Sequence, residues 1–293
     1  MSVVQGADLN SILGLGYASW ATVDEFTVAL LPSTVSEQED LIPSDGTWSS
    51  NEIFSSGRVA AKNRRVLNLE LRTHLTPATL PLIPRLLYDG RRSTSARQAP
   101  HSLRAILANG EGYQTNRAHC ERVTLTTQDN GLLDCTFSFK AHVWNELPSD
   151  GPTPVFRRLA ATGHLLPSMR PLASWRTFLE QNLINGAVLS WQLQFDQNWD
   201  YQFLCEGTNS PSNPTIAHHG PLYVQLCMTV LAQRGEKPQE TGTATVKLSP
   251  TFGVKLPKLL RDSKTPDNFG QRNGPIVHQV QYMLVGELPL TVS

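Results

Sequence analysis

The chain has 293 residues, 40% hydrophobic and 17% charged, with 25 basic against 25 acidic side chains. That length supports two medium domains with real cores. The sparse, balanced charge argues against tight electrostatic gripping of DNA or of an anionic membrane, though not against lying beside DNA without gripping it. Twenty Pro and twenty Gly punctuate many short segments, as an all-β chain requires.

In chain order, Met1 to Tyr17 reads as a loosely structured arm. No basic region leads there into a long apolar run, and no stretch of about 18 apolar residues occurs to cross a bilayer, so neither a signal peptide nor a membrane span is expected. Glu25 to Leu31 reads as a strand. Pro32 to Ser56 is polar and Ser-rich, with a turn signal at Asp45-Gly46. It reads as a long two-armed hairpin or a flexible loop. Arms of about ten residues would reach roughly 33 Å, beyond the body of one domain. Loops of this length inside compact domains are usually functional or disordered.

Arg58 to Thr73 alternates, with Leu67, Leu69 and Leu71 on one side. Thr76-Pro77 suits a helix start, with Thr as N-cap and Pro at the first helical position. Ile83, Leu86 and Leu87 have helical spacing, but Pro81 and Pro84 sit badly in a helix interior, so a short or broken helix ending by Gly90 is expected. Arg91 to Ser102 reads as a solvated polar loop whose arginines offer, at most, an anion contact. Leu103 to Leu107 and Arg122 to Trp144 are extended. Asp129-Asn130-Gly131 suits a three-residue hairpin loop with Gly131 left-handed. That register sets Leu125 against Cys135 and Val123 against Phe137, apolar on apolar.

Glu146 to Pro154 reads as a linker. Beyond it, Leu189, Trp191, Leu193 and Phe195 fall on one face of an extended run, and Leu222, Val224, Leu226, Met228 and Val230 do the same. A third run carries Ile276, His278, Val280, Tyr282 and Leu284. Each buried apolar side chain is worth roughly 1.5–3 kcal/mol, so these strands must share a core. The halves also resemble each other. Ala18 to Val23 (ASWATV) resembles Ala173 to Phe178 (ASWRTF). From Trp20 to the strand beginning at Val66 is 46 residues, and from Trp175 to the one beginning at Leu222 is 47. Each half ends in a long alternating strand, Leu133 to Ala141 and Ile276 to Leu284. Residues 18–145 and 173–290 therefore read as two copies of one fold of about 150 residues.

No GxSxG, HExxH, phosphate-binding or dinucleotide fingerprint is present. Gly14-Leu15-Gly16 lacks the preceding strand. His218 and His219, with Cys205 or Cys227, offer a zinc set in principle, but adjacent histidines on an extended chain point apart. The four cysteines, Cys120, Cys135, Cys205 and Cys227, read as buried reduced thiols. Glu37, Glu39 and Asp40 read as a solvated charge run, without the apolar surroundings that tune a carboxyl for acid catalysis. The expectation is no enzyme, with no catalytic, cofactor or metal residues.

Several phrases in order resemble the tail tube protein, or major tail protein, of long-tailed bacteriophages. They are Ser19-Trp20-Ala21-Thr22-Val23 before a long polar hairpin, Gly57-Arg58 before Arg64-Arg65-Val66-Leu67, and Gly112-Tyr113 leading through Arg117 to Leu125 into Gly131-Leu132-Leu133. Leu189 to Leu193 then runs into Asp196-Gln197-Asn198-Trp199, and Gly220-Pro221-Leu222 opens a strand. The resemblance implies a mainly β chain of two tandem β-barrel or sandwich tube domains, 1–150 and 151–293, each with a short flanking helix. Two domains per chain depart from the commoner single-domain form. It further implies homo-oligomeric stacked rings in a virion tail, made in the host cytoplasm, contacting other tail proteins and passing double-stranded DNA. A trimer would give a pseudo-six-fold ring, preferred to a true hexamer. Tube proteins of contractile injection and type VI secretion machines share that fold. A carbohydrate-binding β-sandwich and a small enzyme on a β scaffold are the remaining readings.

Physical chemistry fits the tube. Exposed sheet edges invite continuation by another subunit, and a closed ring removes them. In the loop 32–56, Leu41, Ile42, Asp45, Trp48 and Ile53 are spaced as scattered contacts rather than as a private core, so they are expected to touch the neighbouring ring.

Overall fold

The computed structural model of the chain describes residues 19–42, 61–77, 79–87, 100–107, 112–127, 131–147, 172, 179–202, 216–233, 235–248, 253–262 and 276–286. The first half holds β1 (Ser19–Val23), β2 (Phe26–Leu30), β3 (Thr34–Ile42), β4 (Ala61–His74), helix α1 (Leu82–Leu86), β5 (His101–Ile106), β6 (Gly112–Thr127), β7 (Leu133–Ala141) and β8 (Asn145–Leu147). The second holds β9 (Leu179–Gln181), β10 (Gly186–Gln202), β11 (Ile216–Ala232), β12 (Thr241–Lys247), β13 (Gly253–Arg261) and β14 (Ile276–Leu284). The fold is mainly β, and the fourteen strands among the described residues belong to one large open antiparallel sheet.

The sheet is organised around β6, which is paired along both edges. On one edge it meets β5 and then β10, and on the other β8 and then β7. Two runs of strands leave that axis. The first pairs β3 with β4, β4 with β7, β7 with β6, β6 with β5, and β5 with β1. The second pairs β10 with β11, β11 with β14, β14 with β13, β13 with β12, and β12 with β9. The order along the chain is the same in both. The long hairpins also share an irregularity. From Asp40 to Ile42 β3 advances two residues while β4 advances three, Arg64 to Ala61. From Gln197 to Trp199 β10 advances two while β11 advances three, Leu222 to His219. Such bulges bend a strand and sharpen its twist.

One face of the sheet is apolar. Leu67, Leu69, Leu71, Phe137 and Phe139 pack there with Leu82, Ile83 and Leu86 of α1. Phe195, Leu226, Val246, Leu256 and Tyr282 extend the same cluster into the second half. The buried amide of Gln197 on β10 donates to the carbonyl of Leu86, 2.5 Å away, which ties α1 to the second half. Tyr282 Oη closes the far end by donating to the carbonyl of Gln239, 2.9 Å away.

The hairpin register is as expected, with Leu125 against Cys135, Val123 against Phe137, and Gly131 at φ 79°. Several local expectations change. Leu189 leaves the buried row because the β10–β11 register slips between Val188 and Ser190, and it is 56% exposed. Glu146 and Leu147 belong to β8, not to a linker, because they pair with β6. His101 and Ser102 belong to β5, not to the polar loop. Thr76 caps a separate turn through reciprocal bonds with Thr79, and α1 begins only after Pro81. Among the described residues the second half contains no helix. The arm 1–17, the repeat partner 173–178 and the linker residues 148–154 lie outside the described residues.

Candidate assembly interface

The halves are joined where β10 lies along β6, with Gln192 to Asp196 opposite Thr126 to Arg122. Apolar pairs point to the core, Leu193 on Leu125 and Phe195 on Val123. On the other face Arg122 Nε donates to an Asp196 oxygen 2.5 Å away. Thr127 Oγ1 donates to the carbonyl of Trp191 and accepts from its amide, at 3.3 and 3.0 Å. Beyond its bulge β10 folds an aromatic arm over the first half. Trp199 Nε1 donates to the carbonyl of Cys120 at 2.7 Å. The ring centroids of Trp199 and Tyr201 stand 4.5 and 5.5 Å from that of His119. Tyr201 also meets His142 at 4.5 Å, and Lys140 Nζ lies 5.5 Å from its ring. Under this cover, burial pushes His119 down to about 4, with the nearby charges of His142 and His101 acting the same way. Burial likewise pushes the Tyr201 hydroxyl well up.

The counterpart of β10 in the first run is β3, and its outer edge carries no strand among the described residues. β3 pairs only with β4, Val35 against Leu69 and Glu37 against Leu67. It is a sheet edge nine residues long.

The solvent-facing side of the sheet near the seam is polar and mostly uncharged. Thr124 and Thr126 of β6 stand opposite Gln194 and Gln192 of β10, and Gln225 and Thr229 of β11 and Gln279 and Gln281 of β14 continue the field. A depression of about 510 Å³ opens here, lined by Thr126, Ser190, Gln192, Thr229 and Gln281 among others. Arg122 on this side is paired with Asp196, and Arg72 with Asp134 at 3.7 Å. Toward the far end the character changes. Tyr223 is 46%, Met283 39% and Leu260 47% exposed, and Leu260 stands directly opposite Met283.

The anticipated contact residues divide. Leu41 and Ile42 close β3, at the end of its unpaired edge. Asp45, Trp48 and Ile53 lie outside the described residues. The flanks of that stretch do form two antiparallel arms, β3 and β4. Glu37 is exposed on β3, with Glu39 and Asp40 beyond it in the same strand. His218 and His219 sit on β11 opposite Asp200 and Trp199, and Cys205 lies outside the described residues. Cys120 and Cys135 are buried free thiols, whereas Cys227 is only half-buried because it points to the polar side beside Gln192 and Gln281.

Two histidine–carboxylate pairs escaped the sequence reading. His74 Nδ1 lies 2.6 Å from Asp134, joining β4 to β7. His101 Nδ1 lies 3.0 Å from Asp24, which has φ 51° and turns β1 into β2. Burial pushes the Asp24 carboxyl up, but hydrogen bonds from His101 and the Ser102 amide, with the charges of His101 and Arg85, outweigh it and hold the carboxyl below its ordinary range. Arg85 reaches Asp24 at 3.1 Å and also grips Glu25, so the turn fastens α1 to the sheet. The β10 arm did leave a signal in sequence, since Trp199 and Tyr201 alternate within the otherwise polar DQNWDYQ. Compared with known proteins, the chain matches no family model and no curated protein sequence.

Proposed function

We propose that this chain is a structural subunit, not an enzyme, that joins copies of itself into rings, and that stacked rings form a tube of the phage tail type for delivering DNA into a host. The carrying observation is the shared pairing order of the two runs with one difference. β10 covers β6 through its outer edge, while the outer edge of β3 carries no strand among the described residues. A chain that holds one half of a repeated junction inside itself and presents the other half at its surface extends by adding copies head to tail.

On this reading residues 1–150 and 151–293 are two tandem tube domains, each a barrel-like unit built on one run, and α1 is the flanking helix of the first. Three chains then present six similar units, a pseudo-six-fold ring preferred to a true hexamer. The Gln- and Thr-rich face suits the wall of a channel, because a neutral polar surface contacts a polyanion without the counterion release that drives tight binding. The protein would reside in the virion tail with other tail proteins, and need no cofactor.

The hairpin tip is assigned to ring stacking, through Leu41, Ile42, Asp45, Trp48 and Ile53. Replacing Leu41 to Glu52 by a short Gly-Ser bridge tests this. Melting should remain cooperative near the parent temperature, because of the described strands the replaced segment takes only the last two residues of β3, Leu41 and Ile42. Electron microscopy should show single rings in place of tubes. Long tubes from the deleted chain would remove the tip from the assembly mechanism.

A further inference from the structure

We infer that the end of the β10–β11 hairpin is an acid-released latch: Trp199 and Tyr201 close over His119, and protonation of that ring lifts them off the first half while β6 and β7 stay folded. The latch works within one chain, whatever its assembly.

The hairpin end is a separable piece. β10 pairs with β6 from Gln192 to Asp196, and the next residue, Gln197, is anchored by its amide to the carbonyl of Leu86. Past the exposed Asn198, β10 pairs among the described residues with β11 alone, Trp199 to Gln202 opposite His219 to Ile216. The register slip between Gln197 and Trp199 sets Gly220 and Pro221 at the same level of β11. A bulge bends the ribbon there, and Pro221 brings no amide donor to stiffen it. The two strands beyond this point are held on the first half by side chains. Trp199 bonds the carbonyl of Cys120, the two aromatic rings pack on His119 and His142, and Lys140 lies over Tyr201. A two-stranded ribbon is marginal by itself, so this end opens at less cost than the sheet beneath it.

The closed latch suits a neutral His119. The ring stands on the polar side of the sheet opposite Lys140, and it is only 8% exposed because the ribbon covers it. Its Nδ1 and the Tyr201 hydroxyl are both enclosed, with no hydrogen-bond partner among the described residues. An imidazolium donates from both nitrogens, and burying its charge without a partner is costly. The charged groups around it come from several elements. Lys140 of β7 is paired with Glu121 of β6 at 3.2 Å, and His142 follows β7. His101 of β5 is paired with Asp24 at 3.0 Å. The ribbon itself carries Tyr201, with Asp200 opposite His218 and His219 opposite Trp199. Burial, with His142 and His101, holds the closed ring at about 4 against an ordinary 6.5. Opening returns the ring to water, so protons favour the open latch as pH falls below 6.5, and the effect saturates near 4.

Hydrogen–deuterium exchange of the full chain, read by mass spectrometry at pH 7 and pH 5 and corrected for the intrinsic rate, tests this. The open-to-closed ratio of residues 199–202 and 216–219 should rise about 20-fold between the two pH values, while residues 133–141 stay protected. His119→Phe keeps a ring under the cover and removes the proton, so its ribbon should exchange alike at both pH values. Equal ribbon exchange in the parent at pH 7 and pH 5 would overturn the latch. So would loss of protection in residues 133–141 in step with the ribbon, or acid opening that persists in His119→Phe. If that variant does not fold, ring-labelled histidine in the parent decides by magnetic resonance. Titration of the ring in contact with the Trp199 indole at the midpoint of ribbon opening supports the latch, and a ring that stays neutral through the opening overturns it.

Discussion

The indole nitrogen of Trp199 donates to the carbonyl of Cys120, 2.7 Å away, and this bond joins two bulges. Trp199 follows the slip in the β10–β11 register, and Cys120 precedes the slip in the β6–β7 register. The bulges let β10 cross over the sheet beside β6 as well as extend it. Replacing Trp199 with Ala removes both the bond and the cover over His119, and should destabilise by about 3–4 kcal/mol. Phe at this position keeps a ring over His119 and should lose only about 1–2 kcal/mol. Urea unfolding of the two variants separates these contributions. Equal losses would show that the indole bond carries the effect and the ring cover does not.

Acid should weaken the fold through His119. Its pKa is about 4 in the folded chain against an ordinary 6.5. Between those values the unfolded chain binds a proton that the folded chain refuses, so stability falls as pH drops from above 6.5 toward 4 and this contribution is then exhausted. The loss is on the order of 2–3 kcal/mol. His119→Phe should flatten the melting temperature across that window. An unchanged slope would assign the acid sensitivity to other groups.

The thiols report the core directly. Burial raises the pKa of Cys120, Cys135 and Cys227, but the first two are fully enclosed while Cys227 stands half-buried on the polar side. In the native chain Cys120 and Cys135 should resist a neutral-pH disulfide reagent until urea unfolds the protein, and Cys227 should react sooner. Mass mapping of the labelled peptides checks the order. Early labelling of Cys135 would contradict the position of β7 at the centre of the core.

The regular parts of this fold were readable because alternation survives wherever one face is buried. Val224, Leu226, Met228 and Val230 follow it without interruption, and Gly131 announces its own turn. What escaped were the departures from period two. A bulge moves Leu189 from the buried row to solvent, and no local residue pattern marks where that slip occurs. The seam was hidden for another reason. Arg122 and Asp196 are 74 residues apart, and their opposition depends on which edge of β6 is left open by β5. The exposed pair Leu260 and Met283 was equally silent, since each looks like an ordinary strand residue until its side of the sheet is known.

The uncharged face carries a prediction about DNA. Changing Gln192 and Gln194 to Lys should leave folding and assembly intact, because both side chains face away from the core. It should give the assembled protein salt-sensitive retention of double-stranded DNA where the parent shows none, each added lysine steepening the salt dependence by about one phosphate contact. A filter-binding series across salt concentrations measures it. Retention equal to the parent's at low salt would remove this face from the channel wall.

Sedimentation of the purified chain, with electron microscopy of the same fractions, tests the central claim most directly. The account predicts a discrete closed ring of three times the 32.4 kDa chain mass, six-lobed in projection, with longer stacks as concentration rises. A particle that stays at 32.4 kDa at every concentration and salt would contradict it.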